Sequence, residues 1–253
     1  MKTRLGLLIV SGISIAMLGA CSLFGTKDSP ANGISIEVGT INEQTRNSII
    51  DSYKDITTSQ DLYQLKEGAI DNSKLDIKLP TNFGDTMDTA TSNLLFISRT
   101  TAEKMNKKGL IRERDNNNGL LSSDSLDSLP KIEKDETIIF ANKEYKDLTE
   151  LTFDKKKMNV QYKGDAWLSP YRGGSNEILL IVDDTLFKEI NGKEKTRQIL
   201  SFNKSFGNLN LVNQGKAPEL SKEIDKVNTA LDTEGKRAVN FINITEKYKS
   251  LYG

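Results

Sequence analysis

The sequence predicts an α+β protein, a mixed sheet carrying helices and built partly from strand-turn-helix units. Three observations lead there. Four-residue apolar runs recur at Leu94-Leu95-Phe96-Ile97, Ile138-Ile139-Phe140-Ala141 and Leu179-Leu180-Ile181-Val182, spaced 44 and 41 residues apart. Each is followed by a residue that favours a helix start: Ser98, Asn142 and Asp183. Segments of alternating polarity lie between them.

The elements follow in chain order. Leu75-Asp76-Ile77-Lys78-Leu79 alternates with period two, as does Asn208-Leu209-Asn210-Leu211-Val212, so both read as strands with one solvated side. Met158-Asn159-Val160-Gln161-Tyr162 has the same pattern. The three four-residue runs show no alternation, which fits strands buried on both faces. Ser, Asn or Asp after such a strand accepts a hydrogen bond from a first-turn N–H that would otherwise lack a partner. The third unit is the clearest, because Leu186, Phe187 and Ile190 then share one helical face. Arg112 to Lys134 is rich in Asn, Asp and Ser and reads as a long loop. Leu220, Ile224, Val227 and Leu231 form one stripe of an amphipathic helix, and Ala238 to Ile244 reads as a final strand.

Composition excludes whole classes of chemistry. The 253 residues contain 35 Lys+Arg, 35 Asp+Glu, one cysteine and no histidine. Without histidine there is no Ser-His-Asp or Cys-His relay and no imidazole metal ligand. With one cysteine there is no intrachain disulfide and no thiolate metal cluster. A formal charge of zero gives no overall positive field to gather nucleic acid. No metal, cofactor or catalytic residue is therefore expected.

The N-terminus reads as an address. Lys2 and Arg4 precede Leu5 to Ala20, 16 positions without a charged residue. That is shorter than the roughly 20 residues a membrane-spanning helix needs. Leu18-Gly19-Ala20-Cys21 then closes the run. This tetrapeptide resembles the bacterial lipoprotein lipobox, a resemblance covering Met1 to Cys21. It implies a diacylglycerol thioether on Cys21 and cleavage just before it. The expected organisation is a signal peptide over 1–20, a lipidated flexible tether over 21–33, and a single extracytoplasmic α+β domain over 34–253. Removing Lys2 and Arg4 leaves 33 basic against 35 acidic side chains, a formal balance of −2. The expected partner is the membrane, held through the lipid. Two acyl chains anchor stably where one does not.

A second resemblance lies further on. Val182-Asp183-Asp184 followed by Leu186-Phe187-Lys188 looks like the strand-to-helix step in extracellular domains of macrolide-exporter-type ABC permeases. It spans about a dozen residues, and the membrane helices that flank those domains are absent here. It implies a lipoprotein working beside an export or peptide-resistance system.

Candidate chemistry is sparse. Asp183-Asp184 stands at a strand end, where many α/β sites lie, but Asp183 is already explained as a cap. Asp115-Asn116-Asn117-Asn118-Gly119 fails calcium-loop spacing, with Arg114 and Ser125 where carboxylates are needed. Gly215-Lys216 lacks the glycine and Ser/Thr of a phosphate loop. Lys155-Lys156-Lys157 reads as a solvated turn at a strand edge. The loop Gly164 to Asn176 contains the only tryptophan, Trp167, with Tyr171 and Arg172 beside a Gly pair. Trp, Tyr and Arg are enriched where interfaces gain most of their energy, so these three are the candidate partner-binding residues. A core-capping loop is the structural alternative. The expected function is non-catalytic binding to a membrane protein complex or an envelope peptide. The alternatives are a solute-binding component of a transporter and a carboxylate-dependent envelope hydrolase.

Overall fold

A computed structural model of the chain describes residues 28–77, 91–115, 122–131, 136–170 and 176–245. Its strands are β1 (Gly33–Val38), β2 (Thr57–Asp71), β3 (Thr91–Ser98), β4 (Ile111–Asp115), β5 (Ser122–Ser125), β6 (Glu136–Ala141), β7 (Glu150–Phe153), β8 (Lys156–Tyr162), β9 (Ala166–Leu168), β10 (Glu177–Val182), β11 (Lys193–Phe202) and β12 (Val239–Ile242). The α-helices are α1 (Glu43–Tyr53), α2 (Arg99–Lys107), α3 (Asp184–Glu189), α4 (Pro218–Thr229) and α5 (Thr233–Ala238). Nine of the described strands form one mixed sheet in the order β12-β1-β11-β2-β3-β10-β6-β8-β7, and β5-β4-β9 form a second, smaller sheet. This is the α+β architecture the sequence predicts.

The three apolar runs become neighbours at the centre of the large sheet. β10 pairs parallel with β3 and antiparallel with β6. Register then sorts their side chains by face. Leu65, Ile97, Leu179, Ile181, Ile138 and Phe140 share one core with Ala102 and Met105 of α2 and Ala166 and Leu168 of β9. Leu94, Phe96, Ile139, Ile178, Leu180 and Val182 share another with Tyr145, Leu148 and Ile190. Burying each of these large side chains on both sides of the sheet stabilises the fold by about 1.5–3 kcal/mol. A third core covers the β12-β1-β11 end, where Ile34, Ile36 and Leu200 meet Ile49 and Tyr53 of α1 and Leu220 and Val227 of α4. Between the second and third cores, Gln60, Leu62 and Gln64 of β2 stay exposed.

The caps act as the sequence requires. Ser98 accepts from the Thr101 amide at the start of α2, and Asp183 accepts from Thr185 and Leu186 at the start of α3. Asn142 also caps, yet only a 3-10 turn, Lys143–Tyr145, follows it. Tyr145 and Leu148 fill the second core within that turn, and the chain re-enters the sheet at Glu150. The strand, turn and helix are therefore complete in two of the three units.

Four sequence expectations need correction. Leu75 ends a 3-10 turn, Asn72–Lys74, and 76–77 are bends; positions 78–79 lie outside the described residues. Leu209–Gln214 is also a 3-10 helix, capped by the Asn208 side chain and closed by Gly215 at φ 67. In both, an Asn or Asp side chain offers local bonds that compete with strand pairing. The expected loop over 112–134 contains most of β4 and all of β5, which pair with each other. The expected tether extends too far into the fold. Ala31 is fully buried, Asn32 exchanges two hydrogen bonds with the backbone of Ile244, and Gly33 begins β1. Gly33 is needed there, since a Cβ would stand 2.7 Å from the Leu200 carbonyl oxygen.

Candidate functional site

The carboxylate pair at the end of β10 is used in structure. Asp183 Oδ1 accepts from the amides of Thr185 at 2.8 Å and Leu186 at 3.0 Å. Asp184 accepts from Thr100 twice, from its hydroxyl at 2.5 Å and its amide at 3.2 Å. The Thr100 hydroxyl, more than any other neighbour, holds the Asp184 carboxyl below the usual range. The pair thus ties together the first turns of α2 and α3. These contacts account for both carboxylates of the step from β10 to α3.

A second group was not visible in the sequence. Lys108 Nζ donates to Ser59 Oγ at 2.9 Å and Ser201 Oγ at 3.0 Å, and stands 3.0 Å from Asp61 Oδ2. Serine-lysine pairs serve as nucleophile and base in some hydrolases. Here the amine donates to both hydroxyls and pairs with the Asp61 carboxylate, joining side chains of two strands. Ser201 is buried as well. The cluster locks β2 to β11 and the end of α2.

Two lysines of the basic run are paired. Asp154 and Lys155, both at positive φ, form the turn between β7 and β8. Lys156 pairs with Glu189 at 2.7 Å and Lys157 with Glu150 at 2.6 Å.

The remaining feature is a cavity of about 360 Å³ between the large sheet and β9. The register builds it. Glu67 lies opposite Leu95, Leu95 beside Leu179, and Asn93 beside Glu177, so one row crosses β2, β3 and β10. Asp165 and the β9 residues through Leu168 form the opposite wall, and β9 is held in place by pairing with β4. Arg197 of β11 also lines the cavity. It is 5% exposed and donates from Nη1 to the Ser169 carbonyl at 3.2 Å, bracing the chain just after β9.

Charged groups from several elements border the cavity. Next to it, Lys195 is hydrogen-bonded to Glu37 and lies 3.6 Å from Glu67. The bond to Glu37, opposed by burial, holds the Lys195 amine above its ordinary range. With this flank included, the carboxylates of Glu37, Glu67, Asp165 and Glu177 and the cations of Lys195 and Arg197 stand around the cavity. Tyr162, close by, has its hydroxyl pushed up first by burial and then by the charge of Asp165.

Of the three residues singled out in the sequence, Trp167 lies in the cavity lining, half-buried in β9. Tyr171 and Arg172 lie outside the described residues, as does Cys21. Glu67, Asn93, Glu177 and Arg197 were missed. A signal existed for two of them: Asn93 and Glu177 each stand immediately before an apolar run, and the runs are the parallel pair. Among the described residues, no group of three or more acidic or cysteine side chains could hold a metal ion. No described helix is long and apolar enough to cross a membrane.

Fold and site together define an α+β protein with a small cavity held between two sheets. Residues 31–240 match the profile of an uncharacterised lipoprotein family, and the chain belongs to that family. Its fold is similar to the crystal structure of a provisionally assigned lipoprotein from Bacillus anthracis. The TM-score is 0.52 at 19% identity, covering 85% of this chain and 99% of that one. No curated protein matches the chain.

Proposed function

We propose that this lipoprotein is anchored on the outer face of the cytoplasmic membrane through diacylglycerol on Cys21, and acts there by binding rather than by catalysis, through the Trp167 cavity. The observation that carries the reading is that cavity, which the lone tryptophan lines together with Leu95, Leu179 and carboxylates from three elements. The lipobox resemblance and membership of a lipoprotein family support the anchor. The uses found for Asp183, Asp184 and Lys108 support binding over hydrolysis, since each is committed to holding elements together.

Placement suits a docking role. The chain enters the fold at Ala31 to Gly33, level with Ser201 and so with Ser59 of β2. From Ser59 to Glu67 is eight residues of strand, about 26 Å at 3.3 Å per residue. The cavity is thus set well away from the anchored end, open to a membrane protein complex or an envelope peptide. A second reading, capture of a small solute for a transporter, is favoured by the cavity volume, which falls in the range of small-ligand sites.

The test is cross-linking in live cells with three forms of the protein. Wild type should capture one membrane complex or peptide reproducibly. Trp167→Ala/Tyr171→Ala should lose it, and Cys21→Ala should lose lipid labelling and leave the membrane. Retained lipid labelling in Cys21→Ala contradicts the anchor. Capture that persists in the double variant contradicts the site.

A further inference from the structure

An asparagine followed by glycine is chemically labile, because glycine has no Cβ to keep its amide nitrogen away from the asparagine carboxamide. Two such pairs lie among the described residues, Asn32-Gly33 and Asn191-Gly192, while Asn118-Gly119 lies outside them. We infer that Asn191 is a site of spontaneous deamidation in the folded protein, and that the fold protects Asn32 from the same reaction. This inference is independent of the binding reading above. In the reaction the Gly192 nitrogen bonds to Asn191 Cγ, and the carboxamide nitrogen leaves as ammonia with the proton of the Gly192 amide. Water then opens the resulting succinimide at either carbonyl, leaving aspartate or isoaspartate and one new negative charge.

The fold holds the two pairs differently. Asn32 Nδ2 donates to the Ile244 carbonyl at 2.9 Å and its Oδ1 accepts from the Ile244 amide at 2.7 Å, so both ends of the carboxamide are fixed. Gly33 is buried in β1, between β11 and β12, where it pairs with Ser201 and Ile242. Asn191 is instead exposed, in the two-residue link between Ile190 and β11. Among the described residues, no hydrogen bond involves its side chain or the Gly192 amide, so neither reacting group must first be released. Glycine stands at 192 for packing, since a Cβ there would lie 2.9 Å from the Glu67 carbonyl oxygen. The labile pair thus contains a residue that the sheet requires. Just before it, the Ile190 carbonyl accepts from Lys66 Nζ at 2.7 Å. Isoaspartate would lengthen the main chain by a methylene directly after that anchor, at the join of α3 and β11.

The mature lipoprotein in detergent micelles would be incubated at mildly alkaline pH beside a sample in denaturant, then digested and mapped by mass spectrometry. Incubation continues until both pairs have converted in the denatured sample. Trypsin releases Glu189 to Lys193, in which Asn191 is the only amide side chain. In the folded sample this peptide should yield aspartate and isoaspartate products. Asn191 should react at least about tenfold faster than Asn32, the factor expected when two hydrogen bonds must break before a side chain can turn. Asn191→Gln should leave the peptide unconverted, because glutamine would have to close a larger ring. Equal rates at the two asparagines of the folded protein would overturn the inference. So would an unreacted Asn191 in the folded sample once the denatured one has converted, or product persisting in Asn191→Gln.

Discussion

Two aromatic regions of this molecule differ in what surrounds their rings. At the β12-β1-β11 end, Tyr53 stacks on Phe202 with centroids 5.3 Å apart, and Phe206 and Phe241 meet the pair edge-on at 5.9–6.2 Å. Charges close over this cluster in matched partners. The Tyr53 hydroxyl donates to Glu223 at 2.8 Å, with Lys226 3.7 Å from the same carboxylate and 5.3 Å from the tyrosine ring. At the other region Trp167 borders a cavity that Glu67, Asp165, Glu177 and Arg197 also line. A ring whose neighbours are rings holds the fold together. Trp167 instead lines a volume of about 360 Å³.

The largest effect that tests this contrast is on stability. Phe202→Ala removes a ring that is 7% exposed and stacked, and should cost about 3–5 kcal/mol. Trp167→Ala, at a half-buried side chain, should cost about 1–2 kcal/mol. Denaturant unfolding of both variants measures the gap. Equal losses would make Trp167 a core residue and break the comparison.

A smaller effect sharpens the same contrast through pH. Burial, the hydrogen bond to Glu223 and that carboxylate's charge together push the Tyr53 hydroxyl above its ordinary value. A group raised in the folded state contributes stability that is full below its unfolded pKa, about 10 for tyrosine, and is lost as pH rises through that value towards the folded one. Stability should therefore decline above about pH 10. Tyr53→Phe should remove part of that decline, leaving a share from Tyr63, whose hydroxyl burial also raises. An unchanged alkaline limb in Tyr53→Phe would mean that the cluster admits water.

How much of this was legible in the sequence varies by element. The strands at 94–97, 138–141 and 179–182 could be read because burial on both faces removes polar residues, and the caps at Ser98 and Asp183 because their chemistry is local. β2, the longest strand, gave little signal. It crosses from an uncovered strip, where Gln60, Leu62 and Gln64 meet solvent, into the core at Leu65, so its residues follow no single pattern. α1 has only Ile49 and Tyr53 buried among eleven residues, too few to mark a stripe. The site was half legible. Trp167 stood out as the lone tryptophan, but Glu67, Asn93, Glu177 and Arg197 come from four strands that only the register brings together. Pairing between distant strands leaves no mark on any one of them.

The most direct test of the binding account places a photo-crosslinking residue at position 167 and, in a second protein, at position 62. Leu62 is apolar, 65% exposed and on the opposite face of the large sheet, so it controls for surface stickiness. Cross-linking in live cells should yield a discrete adduct from position 167 and none from position 62. Adducts from position 62 alone, or the same adducts from both, would contradict the claim that the Trp167 cavity is where this lipoprotein binds.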